Sequence, residues 1–154
     1  FIISLFAFHW VSAQAKEVNE LKQTYFSIKN ALVADDANAA KTNAESFGKQ
    51  LEVISKITLN ASQEKVWSEQ RNKLSATSNA IANISDINKQ REQLNQLSNA
   101  LFAVLKAFKA NEDAVYYQYC PMKKAYWLSA EKEIKNPYYG KKMLTCGSVK
   151  ETLK

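Results

Sequence analysis

The sequence predicts an all-α protein, an up-down four-helix bundle closed at one end by a short C-terminal cap. The chain of 154 residues contains only three Gly and two Pro, too few for the regularly spaced turns of β-sandwiches and barrels. Apolar residues make up 46% of the chain, which is enough for a sizeable core. Apolar positions with helical spacing recur four times between residues 16 and 114.

The first fifteen residues differ from the rest of the chain. They read FIISLFAFHWVSAQA, carry no charged residue and end in Ala13-Gln14-Ala15. A short apolar run that ends in A-x-A is typical of a secretory signal peptide, although the start of a buried helix is the alternative. We therefore expect cleavage near Ala15, a periplasmic mature domain over 16–154, and no stable membrane span after the signal is removed.

The first two helices are predicted by stripes with alternating three- and four-residue spacing, which buries one face of each helix. Asp35-Asp36 separates the two stripes, and Asp favours the N-cap of a new helix. The stripes are Val18, Leu21, Tyr25, Ile28 and Leu32, then Ala40, Ala44, Phe47, Leu51 and Ile54.

Two further stripes complete the bundle, which extends to residue 114. The third is weaker and has Trp67 beside it, whereas the fourth is regular and follows Ser85-Asp86. Short breaks between stripes favour antiparallel neighbours, hence the up-down order. The stripes are Val66, Leu74, Thr77, Ile81 and Ile84, then Ile87, Leu94, Leu97, Leu101, Leu105 and Phe108.

The cap, residues 115–154, differs sharply in composition from the bundle. It holds eight basic and three acidic residues, seven aromatic residues, both Cys and both Met. Ser129 is a favourable N-cap, and Asn136-Pro137 would stop a helix. We therefore predict one short helix in the cap, with the aromatic side chains packed on the end of the bundle.

Four sulfur-containing residues of the cap are candidate metal ligands: Cys120, Met122, Met143 and Cys146. Thiolates and thioethers select Cu(I), and Ag(I) by the same chemistry. The neighbouring lysines are expected to lower the pKa of the thiols and to favour thiolates. The sequence thus offers one possible metal site.

A disulfide between Cys120 and Cys146 is the alternative, because two cysteines in an exported protein often pair. The protein would then be a disulfide-stapled helical adaptor that binds a protein partner through its basic aromatic C-terminal surface. We expect no enzymatic activity, because no acid–base or nucleophile–base constellation exists without histidine and His9 is lost with the signal. A nucleic-acid partner is not expected for a protein outside the cytoplasm.

The cap resembles the end of a Gram-negative family known as domain of unknown function 3347. The matching pieces are YCPM at 119–122, YWLSAEKEIKNPYYGKKMLTCG at 126–147 and VKETL at 149–153. The segment LVADDANAA at 32–40 is similar to the helical part of that family, so the resemblance covers the whole mature chain.

The resemblance implies a heavy-metal function. Domains of this family occur as small exported proteins and fused to periplasmic adaptor subunits of copper and silver efflux pumps. The resemblance therefore implies Cu(I) or Ag(I) as cargo, a periplasmic efflux adaptor or other envelope protein as partner, and Cys120, Met122, Met143 and Cys146 as ligands. Family members often have His before Cys-Pro-Met, where this chain has Tyr119.

Overall fold

A computed structural model describes residues 6–109 and 113–154, with side chains from residue 14 onward. The four predicted helices are present and consecutive helices pack on one another, so the chain forms a mostly helical bundle. Helix α4 also contacts α1. The helices are α1 (Phe6–Val33), α2 (Ala37–Ile54), α3 (Ala61–Asn83) and α4 (Ile87–Phe108).

Side-chain caps start three of the helices. The Asp36 carboxylate accepts a hydrogen bond from Ala39 N–H at 2.9 Å and starts α2. Asn60 and Gln63 form a reciprocal capping box at α3, and Asp86 caps α4. In the two predicted cap pairs, Asp35-Asp36 and Ser85-Asp86, the second residue is therefore the N-cap.

The predicted stripes form the core of the bundle. Every stripe residue of α1 and α2 is buried, and so are those of α4 after Ile87. On α3 the buried aromatic residue is Trp67, whereas Val66 is half-buried. The helical spacing therefore located the buried faces correctly, and the up-down order of the helices stays a prediction.

The predicted signal segment lies partly outside the described residues. From Phe6 onward its backbone belongs to α1, which runs through Ala15 into the bundle without a break. Cleavage near Ala15 stays a prediction. Among the helices of the described residues, none is both long and apolar enough to cross a membrane.

A three-stranded antiparallel sheet follows the bundle. Its strands are β1 (Val115–Cys120), β2 (Ala125–Ser129) and β3 (Ser148–Leu153), in the order β2-β1-β3. Strand β2 packs on α4 and α1, so the sheet lies against the bundle as the cap was expected to do. Gly140–Lys142 forms a single 3₁₀ turn between β2 and β3.

The sheet corrects the all-α prediction for the cap. The predicted short helix after Ser129 is absent from the described residues, because side chains take over the hydrogen bonds that a helix would need. Ser129 Oγ accepts from Glu131 N–H, and Gln118 Nε2 donates to the carbonyl oxygens of residues 131–133. Val, Tyr and Trp in 115–127 also favour strands over helices.

Candidate functional site

The two cysteines lie side by side at one corner of the sheet. Cys120 is the last residue of β1, and Cys146 lies two residues before β3, which pairs with β1. Their sulfur atoms are 3.8 Å apart, and both are free thiols. Cys120 is buried and Cys146 is half-buried. The structure therefore brings the two predicted thiol ligands together; we call them the thiol pair.

Close packing fixes the position of Cys146. The Asn136 side-chain amide donates a hydrogen bond to the Cys146 carbonyl oxygen at 2.6 Å. The next residue is Gly147, where a Cβ atom would lie 2.6 Å from the Trp127 ring and 3.0 Å from the Tyr119 carbonyl oxygen. A residue larger than glycine would therefore displace the chain beside the thiol pair.

Met122 and Met143 flank the thiol pair on two turns. The main-chain N–H of Met122 faces the Cys146 thiol and lowers its pKa. The N–H of Cys146 donates to the Met143 carbonyl oxygen at 3.2 Å. Their side chains are exposed, 65% for Met122 and 38% for Met143. The backbones of both methionines therefore touch the site through Cys146, and their thioethers are open to solvent.

The protonation state of Cys146 differs from the expectation. Burial raises the pKa of its thiol, the neighbouring Cys120 thiol raises it further, and the Met122 N–H opposes the increase. The prediction that the lysines lower the thiol pKa is therefore wrong for Cys146. Lys123 and Lys142 have exposed side chains, whose charges water and salt screen.

The distance between the sulfurs fits two thiolates that share one metal ion. Metal–thiolate bonds of about 2.3 Å at a tetrahedral angle separate two sulfurs by about 3.8 Å. A formed disulfide would require about 2.05 Å. Within the residues described, no three His, Cys, Asp or Glu side chains gather as metal ligands. Met122 and Met143, whose thioethers are soft ligands, stay the predicted sources of further ligands.

Tyr119 lies on the other face of the sheet from the thiol pair. Successive residues of a strand point to opposite faces, so Tyr119 points away from Cys120. Its ring contacts the Tyr126 ring at 4.7 Å, and the Lys150 ammonium lies 5.5 Å from its centre. Tyr119 therefore serves the packing of that face and adds no ligand to the thiol pair.

That face carries a continuous stack of aromatic rings, which we call the aromatic stack. Tyr117 stacks on Phe102 of α4 at 4.1 Å and on Tyr126 of β2 at 4.6 Å. Tyr119 extends the stack at one end, and Lys106 lies 5.6 Å from the Phe102 ring at the other. The four rings are half-buried, so the aromatic stack is mainly a packing surface. Of the two lysines at its ends, Lys106 pairs with Glu151 at 2.8 Å.

Arg91 is a buried residue of the site region for which the sequence predicted no role. Its Nε donates to the Pro137 carbonyl oxygen and its Nη2 to the Leu32 carbonyl oxygen, both at 2.7 Å. Nη2 also pairs with Asp35 at 2.6 Å. Its position in the sequence could have indicated burial, because Arg91 lies four residues after Ile87 and interrupts the apolar stripe of α4.

An open cleft of about 420 Å³ lies between α4 and the cap, beside the thiol pair. We call it the basic cleft. Arg91 and the side chains of Lys123 and Lys142 contribute its positive charge, and Glu92 contributes one negative charge. Lys123 connects the cleft to the thiol pair, since its main-chain N–H lies 3.4 Å from the Cys120 sulfur.

Comparison with known proteins places the helical part of the chain in a family context. A family model described as "Protein of unknown function (DUF3347)" matches residues 21–113. The match begins within α1, covers α2 to α4 and stops before β1, so the C-terminal pieces that carried the resemblance lie outside it. The chain matches no curated protein and no solved structure.

Proposed function

This chain belongs to the family described as "Protein of unknown function (DUF3347)", and we propose that it is a periplasmic module that binds Cu(I) or Ag(I) for metal efflux or resistance. The family description assigns no activity, so the proposal rests on the site. Its main support is the pair of free thiols whose sulfurs lie 3.8 Å apart.

The chemistry of the donors favours a soft monovalent ion. Cys120 and Cys146 would hold the ion as thiolates, and Met122 and Met143 would complete its ligands from the adjacent turns. Loss of the Cys146 proton would accompany binding, because its raised pKa keeps the free thiol protonated near neutral pH. We infer binding and transfer of the ion, without a catalytic step.

The same proposal covers location and architecture. The uncharged N-terminal run that ends in Ala13-Gln14-Ala15 supports export, and soft-metal handling supports a periplasmic efflux adaptor or other envelope protein as partner. The short connections 34–36 and 84–86 support an up-down order of the helices. In this proposal the bundle is the scaffold that positions the cap.

Competition titration against a Cu(I) chelator tests the proposal. We expect reduced protein to bind one Cu(I), and Cys120→Ser or Cys146→Ser to abolish tight binding. Met122→Leu and Met143→Leu should weaken binding, because leucine offers no lone pair to the metal. Both methionines are exposed, so these two changes should alter the free energy of unfolding by no more than about 0.5 kcal/mol.

The oxidised wild-type protein is the control for this titration, since a disulfide removes both thiolates and should abolish binding. Wild-type affinity in both Met variants would reduce the site to the thiol pair. Absence of Cu(I) binding by the reduced wild type would contradict the proposal.

A disulfide-stapled adaptor is the second candidate function. The two sulfurs would have to approach by about 1.8 Å to form the bond. The disulfide would close a loop between residues 26 apart in sequence, which stabilises a fold by about 3.5 kcal/mol. Lys150, at one end of the aromatic stack, would then contact an acidic partner, whereas Lys106 at the other end already pairs with Glu151 at 2.8 Å. In this case the Cys variants lose stability in the oxidised protein and the Met variants change nothing.

A further inference from the structure

The basic cleft contains a buried guanidinium whose hydrogen bonds are incomplete. Arg91 has five N–H donors, of which Nε uses one and Nη2 uses two on Pro137, Leu32 and Asp35. No residue in the described ranges accepts from its third nitrogen, Nη1. The buried polar atoms without a partner do not include Nη1, so this nitrogen keeps contact with the open cleft.

The hydrogen bonds of Arg91 hold it rigidly. It is 7% exposed, and its contacts to the Leu32 and Pro137 carbonyl oxygens fix the plane of the guanidinium between α1, α4 and the cap. A guanidinium fixed in this way presents its free N–H groups without further loss of side-chain entropy. Arg91 is therefore preorganised to donate to an oxygen in the cleft.

The charges around the cleft favour an anion. Asp35 already neutralises Arg91, which leaves Lys123 and Lys142 against Glu92. Among the described residues neither lysine forms an ion pair, and both side chains are exposed at the rim. The lining therefore keeps a net positive charge next to the free N–H groups of Arg91.

We propose that the basic cleft binds a small oxyanion, carried by phosphate or by a carboxylate compound, between Arg91 Nη1 and the ammonium groups of Lys123 and Lys142. Guanidinium and ammonium groups are the usual partners of both anions. The half-buried Tyr139 and the exposed amide of Asn88 line the rest of the cleft. This site is separate from the proposed metal function, because its ligands are nitrogen donors and not sulfur.

Nuclear magnetic resonance titration tests this site on reduced, metal-free protein. Sodium phosphate is added at constant ionic strength against sodium chloride, and a second arm uses citrate to separate phosphate from carboxylate recognition. We expect saturable amide shifts confined to the cleft around Asn88, Lys123, Tyr139 and Lys142 with at least one of the two anions. The metal-free condition keeps the outcome independent of copper binding.

Removing a lysine charge and removing the Glu92 charge should change the dissociation constant of the anion in opposite directions. A purely structural role of these residues would not produce that pattern. Lys123→Gln and Lys142→Gln should each raise the dissociation constant about threefold, and Glu92→Gln should lower it about threefold. Lys49→Gln is the matched control, because Lys49 lies in another groove of about 380 Å³ between α2 and α3. Its dissociation constant should equal that of the wild type.

Two results would overturn the proposal. The first is linear, non-saturating shifts spread over surface lysines with both anions. The second is a dissociation constant that stays unchanged in Glu92→Gln, or that changes equally in Lys49→Gln and Lys123→Gln. Because all four substituted positions are exposed, none of these variants threatens the fold.

Discussion

The hydroxyl of Tyr25 connects the bundle to the sheet through a chain of hydrogen bonds. Leu128 N–H of β2 donates to it at 3.0 Å, and it lies 2.6 Å from Ser98 Oγ of α4. Ser98 Oγ in turn donates to the Leu94 carbonyl oxygen, so the Tyr25 hydroxyl donates to Ser98. Burial raises the pKa of Tyr25 far above its usual value, which keeps the hydroxyl a donor at any physiological pH.

Removal of this hydroxyl should destabilise the protein. Tyr25→Phe leaves the buried N–H of Leu128 without an acceptor, and an unsatisfied buried donor costs about 1–3 kcal/mol. Urea denaturation of the variant should show that loss in the free energy of unfolding. Tyr116→Phe is the control, because no described residue bonds to the half-buried Tyr116 hydroxyl; we expect a change within about 0.5 kcal/mol. Equal stability of Tyr25→Phe and wild type would contradict this role.

At the residue scale the sequence predicted apolar burial well and polar burial poorly. Helical spacing identified Leu21, Phe47 and Leu101 as core residues, since burial of an apolar face needs only the local period. Arg91 could not be assigned in this way. Its partner Asp35 is 56 residues away, and only the folded chain brings the two together.

At the scale of elements, Asp35, Arg91 and the turn at Gly140 and Lys141 connect the cap to α1 and α4; we call these residues the junction. Asp35 follows α1 and pairs with Arg91 of α4, and its second oxygen accepts from Lys141 N–H at 3.4 Å. The hydrogen bond from Arg91 lowers the pKa of the Asp35 carboxyl group. Gly140 fits beneath this pair with φ +53°, a left-handed conformation that glycine adopts without strain.

Two Gly→Ala changes should therefore have opposite effects on thermal stability. The Cβ of Gly140→Ala would collide with the Asp35 carboxylate and lie 2.6 Å from Arg91 Nη2. The clash and the left-handed backbone should together cost about 2 kcal/mol or more in the free energy of unfolding.

Gly48→Ala is the matched change in the middle of α2. A Cβ there would lie 3.8 Å from its nearest neighbour, so Ala should raise stability by about 0.5–1 kcal/mol. Calorimetry of both variants measures the shift in melting temperature. A Gly140→Ala protein as stable as Gly48→Ala would show that the junction does not hold the cap.

The helices of the bundle were predictable from the sequence, whereas the sheet was not, because its β1–β2 turn lacks the residues typical of hairpin turns. Residues 116–119 and 126–127 are rich in strand formers, but the β1–β2 connection, residues 121–124, contains no Gly or Asn. Lys124 adopts φ +53° there, a left-handed conformation that Gly and Asn usually supply in hairpin turns. The thiol pair was predicted as a pair, whereas the basic cleft depends on tertiary contacts that no local pattern encodes.

Across the whole molecule, stability should depend on pH through Lys29. This lysine of α1 is 3% exposed, and burial lowers its pKa to about 8, with Glu131 opposing and Lys135 assisting that change. In the unfolded chain its pKa is near 10.5. Between pH 8 and pH 10.5 the unfolded state therefore binds more protons, so the free energy of unfolding rises with pH.

Tyrosines act in the opposite direction at higher pH. Burial raises the pKa of Tyr117 to about 12, so above pH 10 the unfolded chain loses protons that the folded chain keeps. Tyr25 acts with the same sign. The combined contribution of Lys29 and these tyrosines to the free energy of unfolding should therefore be greatest near pH 10.

Urea denaturation at pH 7.5 and pH 9.5 measures this dependence. The Lys29 contribution should raise the free energy of unfolding by about 1–2 kcal/mol over that interval. Lys29→Met should lose that increase, and the difference between the two proteins cancels the contributions of all other groups. If the free energy of unfolding changed equally with pH in wild type and Lys29→Met, the pKa of Lys29 would be the same in the folded and unfolded states and this prediction would be wrong.

The attachments of the sheet to the bundle also set an order of assembly. Leu128 and Tyr25 are 103 residues apart in sequence, and Lys141 and Asp35 are 106 apart. Closing such long loops costs chain entropy that contacts between consecutive helices avoid, so we expect the helices to pair first. The corner that holds Cys120 and Cys146 then forms only when the last part of the chain has docked. An unfinished chain offers a metal or an oxidant two separate sulfurs, and the finished chain offers a pair.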